Sequence, residues 1–99
     1  METNPNEVIR VHIWVRGRVQ NVGFRAHVEY HALEIGVFGW VRNIGSHIVE
    51  TVAEGTRMQI DQFIGMVKQG PRASRVDQAR VEYEPTTGQL TGFDVKRSL

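Results

Sequence analysis

The segment from Gly17 to Arg25 has the residue types and the order that are expected of an anion-binding loop. Two glycines, Gly17 and Gly23, bound a turn between a strand-like pattern and a helix-like pattern, and the segment ends in an arginine. Main-chain N–H groups of such a turn point towards one spot, the start of the helix adds the positive end of its dipole, and a guanidinium group matches the oxygens of a phosphoryl group. A small, doubly charged anion is therefore the expected ligand. The predicted donors are the side chain of Arg25 and the main-chain N–H groups of Val19, Gln20, Asn21, Val22, Gly23 and Phe24.

Regular hydrophobic patterns predict the strands and helices that hold this loop in place. Residues 8–16 alternate between apolar and polar side chains, which is typical of a strand with one buried face. Residues 23–35 place apolar residues near one helical stripe, and Gly36 follows where a helix often ends. The remaining patterns predict strands over 37–44, 48–54, 76–84 and 93–96, and a second helix that Thr56 caps and that ends near Gln69.

The resulting order of elements, β-α-β-β-α-β, predicts an α+β protein with a ferredoxin-like fold. In this split β-α-β plan, two helices cover one face of an antiparallel sheet. The first helix reverses the chain, so the first and second strands run in the same direction. The loop after the first strand and Asn43, near the end of the second, are therefore expected at the same edge of the sheet.

Two motifs carry a resemblance to a known family. Residues 17–25 read Gly-Arg-Val-Gln-Asn-Val-Gly-Phe-Arg, which resembles the acylphosphatase signature Gly-x-Val-Gln-Gly-Val-x-Phe-Arg. The second signature of that family, Gly-aromatic-Val-basic-Asn, is similar to residues 39–43, Gly-Trp-Val-Arg-Asn. The resemblance spans nearly the whole chain, and it implies a single acylphosphatase-like domain over residues 1–99, of which we expect residues 1–6 to be frayed.

The sequence departs from the family pattern at two places. Asn21 stands where the pattern has glycine, and asparagine is the non-glycine residue that best tolerates a left-handed backbone conformation. Ser46 and His47 stand where the family usually has an Asp-Gly turn, and we expect Gly45 to supply the flexible position instead.

Hydrolysis of an acyl phosphate, the reaction that the resemblance implies, makes modest chemical demands. The leaving group is a stabilised carboxylate, so no general acid is needed, and catalysis consists mainly of neutralising phosphoryl charge and aiming a water molecule in line. Arg25 and the loop N–H groups can do the first, and the carboxamide of Asn43 can hold the water. Because asparagine cannot act as a base, the proton would pass to the substrate's phosphate or to solvent, as the resemblance also implies.

Two other functions use similar features. A non-enzymatic domain that binds phosphate or a phospho-ligand would also need the loop, although it would have no use for Asn43. A ferredoxin-like RNA-binding domain would need aromatic residues in its central strands for base stacking, and residues 48–54 contain none.

Several residues near the motifs admit two interpretations. Three arginines, Arg16, Arg18 and Arg42, could raise the local anion concentration or could be solvated strand ends, and Trp14 and Trp40 could line the mouth of the site or pack together on the sheet. The pair His27 and His31 is one helical turn apart, but its order relative to Glu29 is not that of a zinc protease, and no third ligand is evident. We therefore predict no metal and no other cofactor.

Composition bounds the remaining possibilities. The chain has 99 residues and a net charge of +1 from 12 basic and 11 acidic residues, so no global field attracts nucleic acid or a membrane. It has no cysteine, which excludes a thiolate nucleophile; Val19 occupies the position six residues before Arg25 where cysteine phosphatases carry it. No charged and then apolar segment typical of a leader and no run of about 18 apolar residues stands out, so we expect neither a leader nor a membrane span. We predict a soluble, cytoplasmic, monomeric enzyme that acts on a small acyl phosphate, without nucleic-acid or membrane partners.

Overall fold

A computed structural model describes residue 4 and residues 6–99 of the chain. Residues 1–6 were predicted to be frayed; positions 1–3 and 5 of that segment lie outside the described residues. Seven elements follow one another: β1 (Val8–Arg18), α1 (Phe24–Ile35), β2 (Phe38–Ile44), β3 (Ile48–Thr56), α2 (Arg57–Gln69), β4 (Arg75–Glu84) and β5 (Phe93–Val95). All of them were predicted, with boundaries that agree to within two residues.

The strands form one five-stranded sheet in the order β4-β1-β3-β2-β5. Strand β3 lies antiparallel between β1 and β2, so β1 and β2 run in the same direction, as predicted. The α+β ferredoxin-like fold is confirmed, but the sheet is mixed rather than wholly antiparallel, because β5 pairs with β2 in parallel. The reason lies in the chain path. Strand β4 ends at the edge opposite β5, and residues 85–92 cross to the far side before β5 begins.

Both helices pack on one face of the sheet, and the core lies between these two layers. Alternation in β1 directs Val11, Ile13 and Val15 inwards, where all three are fully buried. Phe63 of α2 is also fully buried, and each such side chain contributes about 1.5–3 kcal/mol by leaving water. Thr56 begins α2 as predicted, with its hydroxyl accepting from the N–H of Gln59 and its own N–H donating to the Gln59 side chain. Among the described residues, no helix is long and apolar enough to cross a membrane.

Candidate active site

The loop that joins β1 to α1 begins at a β-bulge. The pairing between β1 and β4 shifts register between Arg16 and Gly17, which turns the chain away from the strand. Gly17 has a φ of 142°, and a Cβ atom there would lie 2.2 Å from the carbonyl oxygen of Arg75. Only glycine fits this close approach. Val19, two residues later, is fully buried and anchors the loop in the core.

The middle of the loop turns through two left-handed residues. Asn21 has a φ of 61° and Gly23 a φ of 76°. Asparagine reaches this region at lower cost than other residues with a Cβ atom, so the departure from the family pattern leaves the turn intact. Val22, between them, packs against the core, and its side chain does not line the cavity described below.

Helix α1 begins with main-chain donors that no side chain of residues 6–99 caps. Gly23 occupies the N-cap position without a side-chain hydrogen bond, and the first turn holds no acidic residue. The first N–H groups of a helix have no partner within the helix, and the helix dipole adds positive potential there. Phe24 is 2% exposed and fixes this end to the core, so the uncapped donors have a fixed position beside Arg25.

Asn43 lies near the end of β2, on the same face as the buried Val41. Its side-chain oxygen Oδ1 is buried and accepts no hydrogen bond from any described residue. Buried polar atoms without a partner are rare in proteins because each one loses its bonds to water. An acceptor of this kind can bind the O–H group of a water molecule.

These two parts of the chain line one cavity of about 320 Å³. Its walls contain every predicted site residue except Val22: Val19, Gln20, Asn21, Gly23, Phe24, Arg25 and Asn43, together with Ala26, Glu29 and Val95. The loop and Asn43 therefore lie together at one edge of the sheet, as the strand directions predicted. Arg25 is half-buried and, within residues 6–99, forms no ion pair with a carboxylate; its Nη1 lies 3.5 Å from the hydroxyl oxygen of Ser98.

Two features of the site escaped the sequence analysis. Gln20 was predicted to contribute its N–H, but its side-chain amide also donates to the carbonyl oxygens of Gly45 (3.0 Å) and Ile44 (3.3 Å), which ties the loop to the β2–β3 turn. Glu29 lines the cavity one helical turn after Arg25; the i,i+4 spacing on α1 could have placed it there. Gly45, with a φ of 57°, supplies the flexible position of the turn, as expected.

Three residues for which two interpretations were open lie away from this cavity, on the face of the sheet opposite the helices. Arg42 donates from Nε to Glu50 at 2.6 Å and stacks over Trp40. The ring of Trp14 stacks on His12 with centroids 3.8 Å apart. The two tryptophans and Arg42 therefore pack on the sheet. Arg16 and Arg18 are exposed and line a neighbouring cavity of about 560 Å³, which shares Val19, Gln20 and Asn21 with the first.

The two histidines of α1 line a third cavity, away from Arg25 and Asn43. The rings of His27 and His31 have centroids 4.5 Å apart. Burial, and after it the proximity of His31, lowers the pKa of His27. Within the part of the chain that the structure describes, no three His, Asp or Glu residues are grouped so as to hold a metal ion.

A family model, curated relatives and solved structures each match this chain to acylphosphatases. The acylphosphatase family model matches residues 11–95. An acylphosphatase from Gloeobacter violaceus is 47% identical over 90 residues, covering 91% of this chain and 96% of its own. One from a Synechococcus species is 44% identical over 91 residues, covering 92% and 96%. The crystal structure of acylphosphatase from Bacillus subtilis matches with a TM-score of 0.84 and 33% identity over 89% of this chain and 98% of its own. A Coxiella burnetii acylphosphatase structure matches with a TM-score of 0.86 and 32% identity, over 92% and 94%.

Proposed function

This chain belongs to the acylphosphatase family and hydrolyses acyl phosphates, and we propose that it does so in the cavity between the β1–α1 loop and Asn43. The observation that carries the proposal is the buried Oδ1 of Asn43, which accepts no hydrogen bond from residues 6–99, in the same cavity as Arg25 and the start of α1. An acceptor and a set of donors then face one small space. A pure anion-binding site would need only the donors.

The phosphoryl group binds to the donors. Main-chain N–H groups of residues 19–24 surround it, and the guanidinium of Arg25 forms paired, charge-assisted hydrogen bonds to its oxygens. Because Arg25 has no carboxylate partner among residues 6–99, its charge is available to the substrate. The volume of about 320 Å³ suits a small ligand.

The water molecule binds to Asn43. Oδ1 accepts one of its hydrogen atoms and directs a lone pair of the water oxygen at phosphorus. A bond forms between this oxygen and phosphorus, and the bond from phosphorus to the acyl oxygen breaks with its electron pair, which releases a carboxylate. The proton of the water passes to a phosphate oxygen or to solvent, since an amide cannot accept it.

Turnover in this scheme needs no metal ion or other cofactor, because Arg25 and the loop donors supply the positive charge that the phosphoryl oxygens require. Activity is accordingly expected to persist in excess EDTA. Chelator-sensitive turnover that zinc restores and that His27→Ala or His31→Ala abolishes would show the opposite.

We further infer that the protein works as a single-domain monomer in the cytoplasm and has no nucleic-acid partner. The loop, Arg25 and Asn43 come from one chain, so the site needs no second copy. The absence of cysteine makes the fold independent of disulfides and suited to a reducing compartment. Side chains of this chain already cover the tryptophan rings that could stack on bases: His12 and Arg80 on Trp14, and Arg42 and Lys96 on Trp40.

Phosphate release from benzoyl phosphate by three variants tests the assignment. Asn43→Ala should abolish most turnover while inorganic phosphate still inhibits at the parent concentration, because the donors remain. Arg25→Ala should lose both turnover and phosphate inhibition. Arg18→Ala, which removes an exposed arginine outside the cavity, is the matched control and should keep both. Near-parental turnover by Asn43→Ala would assign the water to another residue.

A further inference from the structure

The segment Lys96–Leu99 lies beside the end of β2 and makes three main-chain hydrogen bonds there, two with β2 itself and one with Gly45 in the turn that follows it. Lys96 N–H donates to the carbonyl oxygen of Val41 at 2.8 Å. Leu99 N–H donates to that of Asn43 at 2.9 Å, and Gly45 N–H donates back to the Leu99 carbonyl oxygen at 3.0 Å. The segment thus continues the parallel pairing of β5 with β2 as far as the main chain of Asn43.

This continued pairing contains one extra residue. Between the carbonyl groups of Val41 and Asn43 the chain advances two residues, whereas between the N–H groups of Lys96 and Leu99 it advances three. An extra residue on one strand is a β-bulge, and bulges next to active sites often redirect a side chain. Here the bulge contains Ser98, whose hydroxyl oxygen lies 3.5 Å from Nη1 of Arg25.

We propose that Ser98 is a positioning residue for Arg25, and that the Lys96–Leu99 segment fixes the main chain of Asn43. The proposal rests on the roles that Arg25 and Asn43 have in the proposed function. It makes the segment a second support of the site: the β1–α1 loop holds the donors from one side, and Lys96–Leu99 holds Arg25 and Asn43 from the other.

The chemistry of the Ser98 contact suits positioning. A hydroxyl group accepts from the guanidinium without neutralising its charge, whereas a carboxylate would compete with the phosphoryl group. At 3.5 Å the contact is longer than a strong hydrogen bond, so Arg25 can turn to the substrate at little cost.

Glu29 is a second possible partner for the Arg25 side chain, and it competes with Ser98 for the guanidinium group. It lies four residues after Arg25 on α1 and lines the same cavity, a spacing at which the two side chains are within reach of each other on a helix. Among the hydrogen bonds and ion pairs of residues 6–99, Arg25 makes its contact with Ser98 and none with Glu29. Without the hydroxyl, Arg25 is expected to turn to Glu29, which would divert it from the substrate.

Inhibition by inorganic phosphate, together with KM for benzoyl phosphate, tests this balance. Ser98→Ala should raise the inhibition constant and KM about twofold, the low end of the effect of one hydrogen bond, as the 3.5 Å contact implies. Ser98→Thr, which keeps the hydroxyl, should restore both, and so should Glu29→Gln in the Ser98→Ala background. An inhibition constant and KM in Ser98→Ala equal to those of the parent, or a defect that Glu29→Gln fails to correct, would overturn the role of Ser98.

A proline substitution tests the support of Asn43. Leu99→Pro removes the N–H that donates to the Asn43 carbonyl oxygen, whereas Leu99→Ala keeps it. Leu99→Pro should lower kcat about threefold or more below that of Leu99→Ala, the effect of one lost hydrogen bond. Because proline also restricts the backbone of Ser98, kcat and not the phosphate inhibition constant is the readout of this comparison. Equal kcat values in the two variants would overturn this part of the proposal.

The variants Arg25→Ala and Asn43→Ala distinguish a failure of the proposed function from a failure of the inference about the Lys96–Leu99 segment. If both retain turnover, the proposed function fails and this inference with it. If both lose turnover while Ser98→Ala matches the parent and Leu99→Pro matches Leu99→Ala, only the inference about the Lys96–Leu99 segment fails.

Discussion

The N–H of Gly17 donates to the carbonyl oxygen of His47 at 3.1 Å, so the start of the proposed phosphate-binding segment, residues 17–25, is tied to the turn between β2 and β3. Gln20 makes a second tie, because its side-chain amide donates to the carbonyl oxygen of Ile48 at 3.0 Å. Asn43 lies in β2 just before that turn, so these bonds hold the loop in a fixed position relative to Asn43. The turn is also where the sequence departs from the family pattern.

Replacing Gln20 should lower the unfolding free energy, because its side chain connects the loop to the β2–β3 turn. Gln20→Ala removes the side-chain donor to the carbonyl oxygens of Ile44, Gly45 and Ile48 and should cost about 0.5–1.5 kcal/mol of unfolding free energy, because these oxygens are only partly buried. Gln20→Glu, of nearly the same shape, places a carboxylate against those oxygens and should cost more. Urea unfolding at pH 7 measures both, and a Gln20→Glu protein as stable as the parent would refute the tie.

The fold could be predicted because its signals are local and repeated. Alternation identified β1, helical stripes identified α1 and α2, and Thr56 marked the start of α2 correctly. The meeting of the loop with Asn43 followed from strand direction alone, without knowledge of any contact. The reversal of the chain by α1 makes β1 and β2 run in the same direction, and the position of Asn43 near the end of β2 then places it beside the loop that follows β1.

The unpredicted features depend on pairings between residues distant in sequence. The parallel position of β5 is decided by the path of residues 85–92 around the sheet, which no local pattern encodes. Arg42 pairs with Glu50 because the β2–β3 register sets them opposite each other. Ser98 reaches Arg25 only because the chain bulges beside β2. Each of these needs the assembled sheet.

Arg25→Lys tests the geometry of the guanidinium. Lysine keeps the positive charge but loses the planar, paired donors that match phosphoryl oxygens. We expect turnover of benzoyl phosphate to fall on the order of 10²-fold, as when one preorganised transition-state donor is removed. The midpoint of thermal unfolding should stay close to that of the parent, because Arg25 is only half-buried. An Arg25→Lys enzyme with parental kcat/KM would show that charge alone suffices, and Arg18→Lys serves as the control.

Asn21 offers a test of backbone strain in the loop. Its φ of 61° lies in the left-handed region, and its side chain is exposed, so packing adds little to the effect of a substitution there. Asn21→Ala should lower the unfolding free energy by about 1 kcal/mol, whereas Asn21→Gly should match or exceed the parent. Both should keep their turnover within a few-fold as long as they are folded. Urea unfolding measures the unfolding free energies of both variants. Equal values for the alanine and glycine variants would contradict the left-handed conformation of Asn21.

Acid should weaken the fold through the carboxylates on the outer face of the sheet. The hydrogen bond from His12 is the largest influence on Glu84; together with one from Arg10 it outweighs burial and lowers the pKa of Glu84 from its ordinary 4.5. Burial opposes a similar change at Glu54, but bonds from the Thr87 N–H and from Arg10 outweigh it, and the pKa of Glu54 is lowered too. Arg10 bridges the two carboxylates, at 2.9 Å from Glu54 and 3.1 Å from Glu84.

The sign of the pH dependence follows from the lowered pKa values. A carboxyl group whose pKa is lower in the folded than in the unfolded state stabilises the fold above its unfolded value, and the contribution is lost as the pH falls through the folded value. The unfolding free energy of the parent should therefore hold from pH 7 to about 5 and decline below 4.5. Glu84→Gln should be less stable than the parent by about 1 kcal/mol at pH 7, since Glu84 is partly exposed, and the two curves should converge towards pH 3. Glu7→Gln, which alters an exposed residue with no ion pair among residues 6–99, should follow the parent curve. A constant difference between Glu84→Gln and the parent from pH 7 to pH 3 would mean that the ionised form of Glu84 contributes nothing to the fold.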